Sequence, residues 1–340
     1  MIVYFSLTIV MLDLRRLRLL RELNARGTIG AVALALDYSP SAVSQQLALL
    51  EKEAGVALLE RVGRNVRLTA AAQRLVTHTD ALLARMEEAE AELEATAEQI
   101  TGTVRVAAIQ SAGLYLLAPA LSRLSRAHPA LRVEVTDAEP ETSLPSLALG
   151  TLDMVLADQY PLLPRPPDER LDLEPLLEEP FRVVLPAGHP SAGDGRPVAL
   201  ASLRGEPWAL GKDDSAYAEL TVRACRRFGG FEPDVRHHSN DLLMLLALVA
   251  NGQAVTLLPD LVGADRDPSV VTRDVAEARL TRTVFGAIRR GSARRPALNA
   301  LRAALRDTAA DLRSAATHAP GSLPASEAVR SPPGERLEQP

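Results

Sequence analysis

Helical periodicity opens the patterned part of the chain. At about residues 13–25, leucines recur on one face and arginines on the other, which predicts an amphipathic helix. From Thr28 the pattern then predicts a helix, a tight turn at residues 37–40 and a second helix, since Ser39 is a suitable N-cap and Pro40 fits the first helical position. Its apolar residues fall on one narrow face, and they are Val43, Leu47, Leu50 and Ala54. The pattern is typical of a helix-turn-helix.

The opposite face of this second helix carries small, hydrogen-bonding side chains. Such a face fits a DNA major groove, where Gln45 is suited to bidentate pairing with adenine. A short basic β-hairpin follows, and its arginines suit phosphate or minor-groove contacts. We therefore predict a winged helix-turn-helix DNA-binding domain over residues 11–69. The predicted DNA contacts are Ser39, Pro40, Ser41, Ser44, Gln45, Gln46, Arg61, Arg64 and Arg67.

Residues 11 to about 70 also resemble the N-terminal domain of LysR-type transcriptional regulators. That family has Gly-Ser/Thr-Phe, Ala-Ala, a serine-rich start of the recognition helix, Leu-Glu, Gly, Leu-Phe-x-Arg and Leu-Thr-x-Ala-Gly, in this order. The matching segments here are Gly27-Thr28-Ile29, Val32-Ala33, Ser39–Leu47, Leu50-Glu51, Gly55, Leu58–Arg61 and Leu68–Ala72. The chain departs from the pattern at Ile29, Leu59 and Ala72. None of these departures removes a predicted DNA contact.

A long segment without Gly or Pro follows, from residue 70 to residue 99. Its apolar and small residues recur at alternating spacings of four and three, and they are Leu75, Thr79, Leu82, Met86, Ala89, Leu93, Thr96 and Ile100. This heptad seam predicts a linker helix over residues 70–101 that pairs with a second chain through residues 75–100, as a homodimer or homotetramer. The alternative, packing on the protein's own C-terminal domain, stays open because threonines interrupt the seam. In LysR-type regulators the matching helix is the dimerising linker, which implies a DNA site with dyad symmetry.

From Gly102 the pattern changes to alternating strands and helices, which is typical of α/β units. The first set is predicted at 104–108, 114–127, 131–135, 143–149 and 154–157. After an irregular, proline-rich stretch at 160–172, the second set is predicted at 181–185, 208–210, 217–228, 234–237, 241–251 and 255–258. Two late strands are predicted at 270–274 and 283–288, and a final helix at 296–313. Residues 314–340, rich in Pro, Ser, Glu and Gly, are expected to be a disordered tail.

These elements predict an effector-binding domain, residues 102–313, with two lobes and a cleft between them. Lobe I is expected at about 102–157 and 271–313, and lobe II at about 158–270. The layout resembles the effector domain of LysR-type regulators, which is similar to periplasmic binding proteins. The resemblance is supported by Ala127-His128-Pro129, Leu149–Asp153, Leu185–Pro190 and Gly252–Pro259 in this order.

Effector contacts are expected where strands end and helices begin at the cleft. The candidates are Gln110, Ser111, Asp158, Tyr217, Asn240, Asp241 and Thr256. The resemblance implies that Ser111 occupies the position at which the family often holds an effector carboxylate. A plain N-cap is an equally good explanation for Ser111, Asn240 and Asp241. The acidic excess in the set favours a cationic or amine-bearing effector.

Composition narrows the class of protein. The 340 residues carry a net charge of −5, so a protein that coats nucleic acid throughout is excluded, whereas a local basic surface is not. One cysteine, Cys225, excludes an internal disulfide and a cysteine-based zinc cluster, in keeping with a cytoplasmic location. Residues 1–10 are apolar but lack the positive start of a signal peptide, so Met11 is the expected true start. The longest apolar run, 242–250, is too short to span a membrane.

The sequence contains neither a nucleophile elbow nor a phosphate-binding loop, and its histidines form no catalytic or metal-binding set. We therefore expect no enzymatic activity, no metal and no cofactor. The main prediction is a sequence-specific DNA-binding transcriptional regulator, controlled by a small-molecule effector bound between two α/β lobes, with RNA polymerase as a further candidate partner. The alternatives are a solute-binding protein of a transport system, which an export signal would favour, and an enzyme on a binding-protein-like fold, which a nucleophile–base set would favour.

Overall fold

The N-terminal domain is a three-helix unit with a two-stranded antiparallel hairpin. The structure, a computed structural model, describes residues 11–63, 65–193 and 195–318. The elements of this domain are α1 (Leu14–Arg26), α2 (Ile29–Leu36), α3 (Pro40–Ala54), β1 (Leu59–Val62) and β2 (Asn65–Leu68). The predicted winged helix-turn-helix fold is confirmed.

Local chemistry determines where the second helix of the motif begins. The Ser39 hydroxyl accepts a hydrogen bond from the Ala42 amide at 3.1 Å, which satisfies an amide that has no partner inside the helix. Pro40 occupies the first turn of α3. The turn before it is formed by Asp37, which ends α2 in the left-handed conformation with φ 57°, a conformation that Asp adopts more readily than most residues.

The predicted apolar face of α3 forms the centre of the domain core. Val43, Leu47 and Leu50 are buried, and Ala54 packs against the same cluster. Residues of α1 and the first turns of the following helix complete this core. The core is therefore closed by the linker as well as by the helix-turn-helix.

The linker helix α4 (Ala70–Glu94) is shorter than the predicted 70–101. Glu94 is its last residue because the chain must turn to enter the central sheet at Gly102, and no local sequence feature marks that turn. Ile100 consequently packs against the lobe I core and is not part of the helical seam. The last turn of α4 is joined to lobe I by ion pairs, including one of 3.0 Å between Glu94 and Arg295.

The two faces of α4 have different environments. Thr79, a predicted seam residue, is buried within the chain, and Gly291 of lobe I lies so close to Ala84 that an added Cβ would come within 2.5 Å of the Ala84 carbonyl oxygen. The large apolar side chains in the middle and at the end of the seam are exposed, with exposed fractions of 50% at Leu82, 46% at Met86 and 72% at Leu93. Packing on lobe I of the same chain therefore buries one face of α4, whereas the apolar side chains of the other face stay exposed to solvent.

Within the described residues, the effector domain contains nine strands, and its helices lie on both sides of the central sheet. Its helices are α5 (Gln110–Ala112), continued by a π-helical turn (Gly113–Leu117) into α6 (Ala118–Ala127), then α7 (Pro140–Leu149), α8 (Ala216–Ala224), α9 (Leu242–Ala250) and α10 (Pro296–His318). Its strands are β3 (Gly102–Ala108), β4 (Leu131–Asp137), β5 (Met154–Gln159), β6 (Leu171–Pro186), β7 (Pro207–Leu210), β8 (Asp234–His238), β9 (Thr256–Pro259), β10 (Val270–Arg273) and β11 (Thr281–Arg289).

One long strand joins the two lobes. The strand order of the main sheet is β10-β6-β11-β5-β3-β4, with β9 also paired to β6. Residues 171–180 of β6 pair with β11 in lobe I, whereas residues 181–186 pair with β9 and β10 in lobe II. Strands β7 and β8 form a separate parallel pair in lobe II. The predicted two-lobed α/β architecture is confirmed, and each lobe has its own buried cluster.

Three predicted boundaries differ from the structure. Residues 171–180, expected to be irregular or unassigned, form half of β6, which pairing with β11 stabilises. The strand was not predicted because prolines at 175 and 180 are unfavourable inside a strand. Strand β10 pairs within lobe II, so the chain returns to lobe I between β10 and β11 and not at about residue 271. Helix α10 continues to His318, past the expected start of the tail at 314. The rest of that tail and residues 1–10, with the question of the true start, lie outside the described residues.

Candidate DNA-binding surface and effector cleft

The outer face of α3 is free of intramolecular contacts at its centre. Ser41, Ser44 and Gln45 are exposed, and within the described part of the chain the side chains of Ser44 and Gln45 have no hydrogen-bond partner. Ser39 and the exposed Pro40 lie at the start of the same helix, where the Ser39 hydroxyl is 3.0 Å from that of Ser41. This face therefore presents donors and acceptors to an incoming surface.

Gln46 differs from the other predicted contacts on this helix. Its side-chain oxygen accepts from Arg16 Nε at 3.0 Å, and Arg16 also forms an ion pair with Glu53. Gln46 consequently faces α1, one helical position beyond the free face, because a residue turns the helix by about 100°. Its contact with DNA stays a prediction, and its side chain, unlike that of Gln45, already has a partner within the domain.

The hairpin presents two described arginines to solvent. Arg61 is exposed and Arg67 is exposed with its Nη2 atom 2.7 Å from Glu60 Oε1. A surface pair of this kind contributes little to stability and is easily exchanged for a phosphate. Arg64, also predicted to contact DNA, lies outside the described residues.

The cleft is lined by residues from both lobes, at the ends of β3 and β5 and at the starts of α5, α7 and α9. Lining side chains are Ile109, Gln110, Ser111, Glu139, Asp158, Tyr160, Phe181, Tyr217, Asn240, Leu242, Pro259 and Arg282. The cavity that remains measures about 20 Å³, room for about one water molecule. The structure is therefore that of a closed cleft.

Arg282 is the centre of a buried polar network in this cleft. Its guanidinium donates to Glu179 Oε1 from Nε at 2.9 Å and to Asp158 Oδ2 from Nη1 at 3.0 Å. Nη2 donates to the Ser111 hydroxyl at 2.8 Å. Burial alone would lower the pKa of Arg282, but the charges of Glu179 and Asp158 outweigh it and the pKa is raised. Arg282 is therefore a permanent, fully paired cation.

Aromatic rings surround this network. The Tyr160 hydroxyl donates to Asp158 at 2.8 Å, and burial followed by the Asp158 charge raises the pKa of Tyr160 well above its usual value. The ring of Phe181 lies 5.9 Å from the Arg282 guanidinium carbon and stacks at 5.9 Å on Tyr217. The cleft thus combines charge with an apolar, aromatic wall.

Glu139 is the cleft carboxylate with an unusual environment. It is half-buried at the N-terminus of α7, and its side chain has no hydrogen-bond partner within the described residues. Burial raises its pKa from 4.5 to about 7, and the nearby Asp158 charge adds to this shift. Glu141 and Asp137 act in the same direction, whereas Arg282 opposes them. Glu139 therefore changes charge near neutral pH.

Gln110 joins the two lobes across the mouth of the cleft. Its Nε2 donates to Asp241 Oδ1 at 2.6 Å, and its Oε1 accepts from the Leu242 amide at 2.7 Å. Asp241 also caps α9 by accepting from the Leu243 amide at 3.0 Å. Two predicted effector contacts, one from each lobe, are thus bonded to each other in the closed cleft.

The remaining predicted effector residues are divided between cavity and core. Asn240 and Tyr217 line the cavity, although the Tyr217 hydroxyl donates to the Leu257 carbonyl at 2.5 Å. Thr256 is a correction, because it is fully buried and its hydroxyl donates to the Ala209 carbonyl at 2.6 Å. Side chains alternate along a strand, so Thr256 and Pro259, which lines the cavity, point to opposite faces of β9.

Seven of the lining residues were not predicted from the sequence, and four of these carry a charge or an aromatic ring: Glu139, Tyr160, Phe181 and Arg282. The sequence does contain an indication that Arg282 is special. It shares one side of β11 with Val284, Gly286 and Ile288, so it is a charged residue on a buried face. The Glu139-Pro140 pair is a typical helix start, but the helix was predicted to begin only at residue 143. No local signal distinguishes Tyr160 or Phe181 from ordinary core aromatics.

Cys225 has none of the features of a reactive thiol. It is buried at the end of α8, and burial raises its pKa to about 12, with the Glu232 charge adding to this effect. The thiolate is the reactive species, so Cys225 is chemically protected in the folded protein.

Within the described residues, no helix has both the length and the apolar character needed to cross a membrane.

Both domains match models of one protein family. Residues 14–73 match the family model for the bacterial regulatory helix-turn-helix protein of the lysR family, and residues 97–310 match the model for the LysR substrate binding domain. The transport alternative accounted for the two-lobed domain only, whereas these models cover the helix-turn-helix as well.

Individual relatives agree with the models. The chain is 31% identical over 263 residues to a probable nitrogen assimilation transcriptional activator of Synechococcus elongatus, covering 76% of this chain and 82% of that protein. It is 25% identical over 278 residues to the transcriptional dual regulator GltC of Bacillus subtilis, covering 82% and 91%.

Solved structures share the fold. A single-residue variant of full-length OxyR from Pseudomonas aeruginosa superposes with a TM-score of 0.62 at 23% identity, covering 87% of this chain and 95% of that one. Full-length BenM superposes with a TM-score of 0.54 at 20% identity, covering 88% and 98%. With both domains matched in order, the chain belongs to the LysR family of DNA-binding transcriptional regulators with an effector-binding domain.

Proposed function

We propose that the cleft binds a small effector carrying an amine or another cationic group. The observation that carries this proposal is Glu139, a carboxylate of the cavity without a hydrogen-bond partner in the described part of the chain, beside the Asp158 carboxylate. The rings of Tyr160, Phe181 and Tyr217 line the same cavity. Carboxylates and aromatic faces together are a typical environment for an ammonium group.

An anionic effector fits this cavity less well. Arg282 is the cation among the lining residues, and its donors are already directed at Asp158, Glu179 and Ser111. A carboxylate would have to displace a buried partner, and removing one partner of a buried pair typically costs about 3–5 kcal/mol. We therefore propose that Ser111 supports Arg282 in this protein, in place of the effector carboxylate contact that the resemblance implied.

Effector entry requires movement of the lobes, because the closed cavity of about 20 Å³ holds no more than a water molecule. Gln110 and Asp241 lie at the mouth, and they and the neighbouring Asn240 would exchange their present contacts during that movement. We propose that Gln110 and Asp241 form the gate and that Asn240 contributes to the wall behind it.

A thermal-shift series on the full chain tests the charge of the effector. Ethanolamine, putrescine and tetramethylammonium are compared with ethylene glycol and acetate at matched ionic strength. Cationic probes should raise the unfolding temperature, and more at pH 8 than at pH 6, because Glu139 loses its proton across this range. Stabilisation by acetate alone would contradict the proposal, and Glu139→Gln should abolish the pH dependence of any amine effect.

We also propose that α3 contacts DNA bases through Ser41, Ser44 and Gln45, with Ser39 and Pro40 at the helix start and with Arg61, Arg64 and Arg67 on the phosphates. Two copies would pair through the exposed apolar side of α4, formed by Leu82, Met86, Ala89 and Leu93. Such a homodimer, alone or within a tetramer, presents two α3 helices and binds a site with dyad symmetry.

Action on RNA polymerase is a separate part of the proposal. A dimer bound at a promoter would recruit or block the polymerase, and transcription of a promoter fragment with purified components measures which occurs. Unchanged transcript levels at full occupancy of the DNA would contradict it.

A further inference from the structure

Arg21 links three parts of the molecule. It belongs to α1 of the N-terminal domain, and its Nε donates to Asp80 of the linker helix at 2.6 Å. Its Nη2 donates to the Ala148 carbonyl and its Nη1 to the Leu149 carbonyl at 3.4 Å, both in lobe I. The side chain is 9% exposed. A DNA-binding domain is thus attached to the effector domain through a buried guanidinium.

The carbonyls that Arg21 binds belong to the last turn of α7. Carbonyl groups at a helix C-terminus lack helical partners and carry partial negative charge, so a guanidinium there is favourable. The other end of α7 begins next to Glu139, which lines the effector cleft. The helix has 10 residues and is therefore about 15 Å long. One short helix spans the distance from the cleft to the N-terminal domain.

Strand β11 makes a second connection between the effector cleft and the N-terminal part of the molecule. Arg282, near its start, lies in the cleft. Arg289, at its end, donates to the Leu147 carbonyl of α7 at 3.0 Å and to Glu87 of the linker helix at 2.6 Å. It also donates to the Leu152 carbonyl. The strand thus joins the buried charge network of the cleft to α4.

The helix and the strand share one core. Leu147 and Ala148 of α7 pack with Phe285 and Ala287 of β11 in a single buried cluster. Close-packed interiors transmit displacement instead of absorbing it. A shift at the cleft ends of these two elements therefore moves their other ends together.

The geometry points to α7 and β11 as a single coupling body that transmits opening of the effector cleft to the N-terminal domain, with Arg21 and Arg289 as positioning residues. The coupling requires only that the cleft opens, whatever the charge of the effector. Coupling between two sites is reciprocal. Breaking the Arg21 contact should therefore loosen the cleft, even without an effector.

Hydrogen–deuterium exchange on the full-length protein without ligand tests this reciprocity. Arg21→Gln is compared with wild type and with Arg18→Gln, an exposed arginine of the same helix. In Arg21→Gln we expect amides at the mouth of the cleft, residues 241–244, to exchange about fivefold faster or more, the lower end of typical allosteric coupling factors. Arg18→Gln should leave them unchanged.

The internal reference is the lobe II core strand at residues 183–185, which is distant from Arg21 in the chain and buried. Unchanged exchange there excludes general unfolding of the variant. If Arg21→Gln accelerates exchange in α1 but not at the cleft, the coupling proposal is wrong, whereas the amine proposal is unaffected. If amide exchange in the reference strand is also faster in Arg21→Gln, the milder variant Arg21→Lys is used for the same comparison.

Discussion

Gln110 and Asp241 are hydrogen-bonded to each other across the cleft at 2.6 Å, although 131 residues separate them. The contact joins the start of α5 in lobe I to the N-cap of α9 in lobe II. Both residues were predicted to contact an effector, and the closed cleft has them contact each other.

Gln110→Ala should open the cleft more often. The variant removes two hydrogen bonds between lobes, and a hydrogen bond of this kind contributes about 1 kcal/mol, so exchange of the Leu242 amide should accelerate by about fivefold or more. Hydrogen–deuterium exchange measures the change. Gln253→Ala is the control, since within the described residues the Gln253 side chain donates only to the Asn251 carbonyl, two residues away. Equal exchange in Gln110→Ala and wild type would mean that the lobes are held by other contacts.

Glu139→Gln should make the protein less sensitive to pH. The pKa of Glu139 rises from 4.5 to about 7 on folding, so the folded state holds more protons than the unfolded state between these values. Stability is therefore lost as the pH rises through this window. One pKa unit corresponds to about 1.4 kcal/mol, and screening by solvent reduces this, so we expect Gln to add about 1–2 kcal/mol at pH 8 and nothing at pH 4.

Urea denaturation of both proteins at the two pH values measures this difference. Glu98→Gln is the control, because Glu98 is exposed and is not one of the charges that shift the pKa of Glu139. A variant that gains as much stability at pH 4 as at pH 8 would rule out titration of Glu139 as the cause.

Arg282→Met should destabilise the effector domain strongly. Loss of the guanidinium leaves Asp158 and Glu179 buried without their cation, and breaking such a pair typically costs about 3–5 kcal/mol. Chemical denaturation followed by circular dichroism measures the loss. Arg226→Met, which breaks an exposed pair with Glu232, should leave the midpoint nearly unchanged. Similar midpoints for the two variants would show that the buried network does not stabilise the fold.

Gln45→Ala and Arg61→Ala should have different effects on DNA binding. Gln45 lies on the exposed side of α3 that we propose enters the groove, so its loss should reduce discrimination between sequences. Arg61 belongs to the hairpin, so its loss should weaken binding to all duplexes by about the same factor and reduce the salt dependence. Binding to duplexes selected from a random pool measures both, with the exposed effector-domain variant Arg279→Ala as control. Intact sequence preference in Gln45→Ala would mean that another face of α3 contacts the bases.

Met86→Glu should dissociate the dimer that we propose to form through α4. Met86 lies at the centre of the exposed apolar side of α4, where a carboxylate would be buried against the partner helix. Sedimentation velocity should detect a smaller species. Arg85→Glu introduces the same side chain one residue away, at an exposed position outside the seam, and should leave the mass unchanged. An unaltered oligomer in Met86→Glu would assign the interface to another surface.

Much of the N-terminal domain was predictable because its determinants are local. The cap at Ser39, the first-turn Pro40 and the apolar spacing of Val43 and Leu47 act within a few residues of each other. The end of the linker was not predictable in this way. Residues 95–101 have acceptable helix composition, but the helix ends at Glu94, and Ile100 packs against the lobe I core just before the chain enters the sheet at Gly102.

The sequence by itself determined the order of elements, the helix-turn-helix and the alternation that produces two lobes. Tertiary structure decided the cleft, since Ser111 and Arg282 are 171 residues apart and become partners only when β11 is inserted beside β5. It also decided that α7 extends from Glu139 to the carbonyls bound by Arg21. Periodicity and capping are short-range effects, whereas a buried charge network depends on which distant strands pair, and that choice is made by the packing of the whole domain.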